Sequence, residues 1–481
     1  MQHLQSAPLS RQARWTIVTL AVLFTFGDVL VQELHGTAAF YAALSRQMLI
    51  EGDFLAPFQG PQAYLLKPPL AFWLSALSSA VLGINDFAMT LPSRLAGLGC
   101  VAMTFLLARR YYGSVAAWFA ALILPTNGIY IQFTTNFRMD SLMTLGGLLI
   151  LWGYLSLRES RGVAAVTGGL ALSVLTKGPM IFAMLGLFLL HAIGRGRRPE
   201  FPRGGWRWLG LLLLPAAWFG WLWVQHGTAV SSQLNHDFWR GDTAVGLSAL
   251  DSALLEYGFK PLRRLWPWVP LLVAGVVFGG YDLLARGRSR EHRLDVALLL
   301  GLFLINYGIA AVKPDPDVRY LYPSLPLVAI LSGGLLAAGC RAGLPQWVLR
   351  SSQALALLAL IYAVNLTQRG LPEAQALAAI RALADGGELS PENAVVLVDF
   401  VPDPTQPRRN DPLPDSLYYY LGFVPTRVSL PFDDVRALPP ATRYVLIRRK
   451  RAMEAELVGK GLLLKHQAAR LSLLEVPQAS R

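Results

Sequence analysis

About eleven stretches of this chain are apolar for long enough to cross a lipid bilayer, and that property constrains the fold more than any other. They run at approximately 15–32, 92–109, 114–133, 141–157, 163–176, 178–193, 207–224, 264–284, 294–312, 320–340 and 345–366. The two flanking Lys177 are short, and only the charge pattern supports reading them as a hairpin. With 54% hydrophobic and 15% charged residues over 481 positions, the chain reads as an α-helical integral membrane protein, not a soluble enzyme. No small-x-small cleavage site precedes Glu33, so the first run reads as a retained span instead of a signal peptide.

The distribution of Lys and Arg sets the sides. Basic clusters occur in the leader (Arg11, Arg14) and in the short loops at Arg109-Arg110, Arg158 to Arg161, Arg195 to Arg207, Arg286 to Arg293 and Arg341 to Arg350. They share one face, which the positive-inside rule makes cytoplasmic. The formal net charge of +13 therefore reflects topology and attraction to anionic membrane lipids, and a nucleic-acid partner is excluded. Pro69 to Val81 is also apolar, but a crossing there would flip every later basic loop outside. It reads instead as a helix lying along or dipping into the outer interface, with Pro68-Pro69 at its start. The N-terminus then lies inside and the C-terminus outside. Cys100 and Cys340 both fall in apolar runs, form no metal cluster and say nothing about compartment.

Two regions depart from the bundle pattern. From about residue 371 the chain alternates short strand-like runs (395–398, 443–447, 471–474) with helical or Pro/Asp-rich stretches, as a small α/β domain does. The expected organisation is thus a transmembrane domain over 1–370 and an outer-face α/β domain over 371–481. The first outer loop, 33–91, is far longer than a bundle needs, which marks it as functional. Within it, Ala38 to Ile50 has apolar residues at helical spacing and reads as an amphipathic surface helix.

That loop carries a resemblance. Arg46-Gln47-Met48-Leu49-Ile50-Glu51-Gly52-Asp53-Phe54-Leu55-Ala56-Pro57, then Tyr64-Leu65-Leu66-Lys67-Pro68-Pro69-Leu70, then Leu91-Pro92-Ser93-Arg94 resembles the first periplasmic loop of the aminoarabinose lipid A transferases. These belong to the GT-C glycosyltransferases, alongside the protein O-mannosyltransferases. Arg138-Met139-Asp140, Thr176-Lys177-Gly178-Pro179 and Arg319-Tyr320-Leu321-Tyr322-Pro323 recur in the expected order, so the resemblance covers most of residues 15–340. It implies a GT-C architecture of about eleven transmembrane helices with outer-face amphipathic helices. It also implies an undecaprenyl-phosphate sugar donor, a periplasmic lipid or envelope-glycan acceptor and a place in the bacterial inner membrane. The family's acidic pair falls on Thr37-Ala38, its arginine on Phe40 and its metal-binding glutamate on Leu66, whereas its tyrosine remains as Tyr41. Either Glu33, about one helical turn upstream, takes over as the carboxylate, or the chain has lost ordinary activity. Whether a divalent metal takes part stays open, and no residue is assigned to one.

The chemistry of the outer loops agrees in outline. A polyprenyl-phosphate sugar transferase must hold an anionic phosphate at the membrane surface and stabilise it as a leaving group, which suits Lys and Arg. It also needs a carboxylate to orient or deprotonate the acceptor. Asp140 and Glu33 are the catalytic candidates, with Asp53 better explained by its turn. Lys67, Tyr64, Tyr41, Arg138, Lys177, Arg240, Arg319 and Tyr320 are the candidates for phosphate and substrate contact. Each has a plainer reading: Lys67 as a snorkelling cation, Asp140 as a helix cap, Lys177 as an exposed turn residue, Arg138 as a partner of Asp140, Glu33 as a solvated helix end. His236 near Arg240 is a weaker metal-ligand candidate, and Lys313 flanks the Arg319 loop. Walker, dinucleotide-loop, His-Glu-x-x-His and Gly-x-Ser-x-Gly motifs are absent. The alternative to a transferase is a non-catalytic GT-C-like lipid-binding or assembly subunit, for which the missing acidic pair speaks. A transporter is disfavoured, because the spans carry few ionisable residues and no inverted halves are evident.

Overall fold

A computed structural model describes residues 9–34, 36–59, 62–65, 67–177, 185–196, 202, 204–238, 265–311, 318–340, 344–398, 419–421, 426–429, 438–448, 451–467 and 471–477. In chain order the first elements are α1 (Arg11–Phe26), α2 (Thr37–Glu51), β1 (Phe58–Gln59), β2 (Gln62–Ala63), α3 (Leu70–Leu82) and α4 (Asp86–Tyr112). Then come α5 (Ser114–Ile123), α6 (Gly128–Thr134), α7 (Asp140–Tyr154), α8 (Ser160–Lys177), α9 (Leu185–Arg195), a 3-10 helix at Gly205–Leu212 and α10 (Leu213–Phe238). After α11 (Val269–Leu284) and α12 (Arg290–Ala311), a second 3-10 helix (Val318–Ser324) leads into α13 (Leu325–Gly339) and α14 (Gln346–Asp385). The chain closes with β3 (Ala394–Val398), β4 (Thr426–Ser429), β5 (Tyr444–Arg448), α15 (Arg451–Gly459), β6 (Leu463–Gln467) and β7 (Leu471–Glu475). Contacts divide it into two compact units, one of residues 1–27, 53–75 and 90–360, the other of 28–52, 76–89 and 361–481.

Apart from the antiparallel β1–β2 pair the described part of the first unit is helical, and each apolar run has a helix within it. Among the described residues, four helices are long and apolar enough to cross a membrane: Asp86–Tyr112, Gly205–Gly227, Val318–Gly339 and Gln346–Asn365. The run at 114–133 is not one straight span. It breaks into α5 and α6 at an angle of 66°. Pro125 withholds a backbone donor there, and the Asn127 side chain accepts from the Ile129 amide at 2.9 Å to start α6 afresh. The core holds Trp118, Tyr130, Tyr322 and Phe137, all fully buried. Trp118 Nε1 donates to the Ala13 carbonyl at 3.0 Å, so even this large side chain is satisfied.

Close approach of α7 and α8 is what brings the candidate residues together. A Cβ at Gly146 would collide with Ser173 and the Gly169 carbonyl, and one at Gly153 with the Gly162 carbonyl. Only glycine lets these backbones pass so near, as in other packed membrane helices.

In the second unit α2 occupies the expected position but is not a surface helix. Ala38, Ala39, Tyr41, Ala42, Ala43, Leu44 and Met48 are all buried, the alanines permitting close packing on several sides. Gly52 ends it in the left-handed conformation, φ 74°, its amide donating to the Met48 carbonyl. The β3–β7 sheet has the order β4-β3-β5-β7-β6, parallel on the β4-β3-β5 side and antiparallel on the β5-β7-β6 side. The strand-like runs of the sequence lie in β3, β5 and β7. Val395, Leu397, Val445, Ile447, Leu457 and Leu474 form its core.

Candidate active site

Asp140 is the first residue of α7 and Lys177 the last of α8, so the glycine-mediated packing of the two helices sets them side by side. Lys177 Nζ lies 2.5 Å from Asp140 Oδ1, with side chains only 13% and 3% exposed. Two plainer readings fail on this geometry. Asp140 is no cap, because Met139 occupies the N-cap position without a side-chain hydrogen bond. Lys177 is not merely exposed in a turn.

Further cations converge on the pair. Arg138 precedes it in the connector from α6, its guanidinium 5.9 Å from the Phe133 ring. Arg319 and Tyr320 come from the 3-10 helix Val318–Ser324; Arg319 Nη2 donates to the Tyr320 hydroxyl at 3.2 Å. The centroid of the same ring lies 5.3 Å from Lys177 Nζ and 5.0 Å from the Arg319 guanidinium, so one aromatic ring contacts both cations. The charges of Lys177, Arg319 and Arg138 all act on the Asp140 carboxylate. Among the described residues, one carboxylate faces three cations here, an arrangement that can hold a phosphate.

The Lys67 segment packs against the same place. Leu65 and Leu175, each two residues before a candidate lysine, belong to one buried cluster with Ala56, Trp218 and Leu222. Trp218 and Trp73 fix the preceding turn by donating their indole N–H groups to the Leu55 and Phe54 carbonyls, at 2.9 and 2.5 Å. Tyr64 stands edge-on to Phe72, which packs on Phe137 in the connector before Asp140, with centroids 6.3 and 6.2 Å apart. Arg240, Lys313 and Leu66, together with the His236 side chain, lie outside the described residues.

Residues 66–223 match the dolichyl-phosphate-mannose-protein mannosyltransferase family. An undecaprenyl phosphate-alpha-4-amino-4-deoxy-L-arabinose arabinosyl transferase of Pseudomonas fluorescens is 26% identical over 69% of this chain and 58% of its own length. Its counterpart in Pseudomonas savastanoi is 25% identical over 62% and 56%. This chain thus spans less than two thirds of these curated relatives. Among solved structures, ArnT from Cupriavidus metallidurans bound to undecaprenyl phosphate superposes with a TM-score of 0.63, covering 97% of this chain and 99% of that one at 16% identity. The fold is the GT-C fold. In sequence the chain is similar to the aminoarabinose transferases.

The two remaining candidates, Glu33 and Tyr41, belong to the second unit. Tyr41 is buried in α2, 5.8 Å from the Phe40 ring. Glu33 is half-buried, and its charge acts on the phenol of Tyr420. Tyr420 belongs to a cluster that the sequence gives no sign of. Asp86 accepts from the Tyr419 and Tyr420 hydroxyls at 2.9 and 2.8 Å and from the Leu34 amide at 3.2 Å. Burial, reinforced by the charge of Asp86, pushes both phenols well above the usual tyrosine range. Arg381 lies 5.5 Å from the Tyr419 ring. The described residues do not fit a resident metal ion: no three His, Cys, Asp or Glu among them group suitably, and Asp140 is engaged by Lys177.

Proposed function

We propose that this GT-C chain is an inverting glycosyltransferase that moves a sugar from a polyprenyl-phosphate donor to a lipid or envelope-glycan acceptor on the periplasmic face of a bacterial inner membrane. The observation that carries this reading is the buried Asp140–Lys177 pair ringed by Arg138, Arg319 and Tyr320. Lys177, Arg319 and Lys67 take the donor phosphate, with Tyr320 and Tyr64 lining its approach. Their charge stabilises the phosphate as it leaves the anomeric carbon. When Lys177 turns to the phosphate, Asp140 is released to accept the acceptor's proton, and attack from the face opposite the phosphate inverts the anomeric centre. Arg138 holds the substrate beside Asp140, while Glu33, Tyr41 and Arg240 complete the outer-face set. The named relatives act on undecaprenyl phosphate-linked aminoarabinose, which makes such a donor the first to try. The eleven-span topology, the division at residue 370 and a periplasmic C-terminal α/β domain belong to the same reading.

The test is release of undecaprenyl phosphate from a sugar-charged donor by the purified protein. Asp140→Asn is expected to abolish transfer per molecule of folded protein, beyond any loss of stability from the stranded Lys177, and Glu33→Gln to lower it by at least about 10²-fold, the contribution of an acid–base group. Parental rates in both variants would remove the site from where it is proposed. A second reading, a lipid-binding subunit without turnover, is favoured by Thr37-Ala38 at the usual acidic pair. It is the outcome if the parent binds undecaprenyl phosphate yet consumes no donor.

A further inference from the structure

The Leu91-Pro92-Ser93-Arg94 motif takes no part in the chemistry above, yet two of its side chains grip the segment that carries Arg138 and Asp140. The connector from α6 to α7 is residues 135–139. At its start, Arg94 Nη2 donates to the Thr135 carbonyl at 3.1 Å. At its end, the Ser93 hydroxyl donates to the Arg138 carbonyl at 2.7 Å and accepts from the Arg138 amide at 3.2 Å. Ser93 thus closes both backbone groups of one residue. Arg94 also donates to the Thr25 carbonyl in the last turn of α1 and, through Nε, to Thr90 Oγ1 at 3.1 Å. Its side chain is fully buried.

A fully buried guanidinium is a poor way to gain stability. Desolvation cancels most of what its hydrogen bonds return, and apolar replacements of similar volume are often neutral or better. What it does supply is direction: a planar fork whose donors accept only one arrangement of the carbonyls around it. Here those carbonyls fix where α6 stops. The connector is locked from its other side by Phe137, buried against Phe72, and the neighbouring arm by Tyr322, whose hydroxyl meets Thr134 at 2.6 Å. Reacting groups must be held to within about half an ångström to be effective.

We infer that Ser93 and Arg94 are positioning residues that set where Arg138 and Asp140 stand. The part of this inference that concerns turnover rests on the transferase reading; the clamp itself does not. Hydrogen exchange of the full-length protein in detergent reads the clamp directly, because the Arg138 amide is one of the clamped groups. Ser93→Ala is expected to accelerate exchange in a peptide spanning 135–140 by about tenfold or more, with the rest of the first unit unchanged. Ser93→Thr, which keeps the hydroxyl, restores protection, and Arg94→Lys, which loses the fork, behaves like Ser93→Ala. Unchanged exchange in Ser93→Ala, acceleration spread through α4 to α8, or failure of Ser93→Thr to restore protection would each overturn the clamp. If the parent transfers sugar, Ser93→Ala must also lower turnover about tenfold with rescue by Ser93→Thr; parental turnover from a freed connector overturns the positioning role. A parent without transfer defeats the transferase reading alone, and the exchange arms still decide the clamp.

Discussion

At the scale of the residue, the Asp140–Lys177 pair is a liability for stability and an asset for chemistry. Breaking a buried pair from one side leaves an uncompensated charge, so Lys177→Met is expected to destabilise the protein by about 3–5 kcal/mol in thermal or denaturant unfolding. Adding Asp140→Asn removes the stranded charge and should recover most of that loss. If the double variant is no more stable than Lys177→Met, the pair is not coupled as the 2.5 Å contact implies. Lys67 is half-buried just ahead of Pro68 and Pro69, where a point cation can meet a phosphate at the membrane surface. Lys67→Ala is expected to weaken undecaprenyl phosphate binding about ten- to a hundredfold, the worth of one charged hydrogen bond. Parental affinity in a folded variant returns Lys67 to a snorkelling cation.

At the scale of the element, the glycines between α7 and α8 decide the site more than any charged residue does. The side chain of Gly146→Val has no room against Ser173 and the Gly169 carbonyl, so the helices must separate or shift. Overpacking of this kind costs about 1–3 kcal/mol. It is also expected to part Asp140 from Lys177, so transfer should fall much further than melting temperature does. A variant that loses stability and activity in proportion would show that the interface only supports the fold. The break between α5 and α6 is a similar case, since it turns α6 and the connector after it toward Ser93 and Arg94. The run at 114–133 shows only its apolar length, whereas Pro125 and Asn127-Gly128 inside it mark the bend for a reader who weighs breakers above length.

At the scale of the whole molecule, the arrangement of charge makes a claim that no single site makes. A reporter fused after residue 370 is expected to read as periplasmic and one fused within 195–207 as cytoplasmic, which phosphatase and fluorescence fusions distinguish. Both on one side would remove an odd number of crossings between them and move the candidate site to the wrong face.

The sequence by itself determined the helices, because apolar length and period are local properties that each run carries whole. It also determined the motif residues Arg138, Asp140, Lys177, Arg319 and Tyr320, each within a few positions of a recognisable neighbour. Only the tertiary structure decided what these residues do to one another. Asp140 and Lys177 are 37 positions apart and meet because glycines let two backbones approach. Ser93 and Arg138 are 45 apart, Thr134 and Tyr322 188, and Asp86 reaches Tyr419 and Tyr420 across 333 and 334 positions. The burial of α2 belongs to the same class: its spacing suggests one wet face, but its alanines let neighbours cover that face as well. A hydroxyl or a carboxylate shows its capacity to bond in the sequence; which partner satisfies it depends on the packing that brings distant segments within three ångströms.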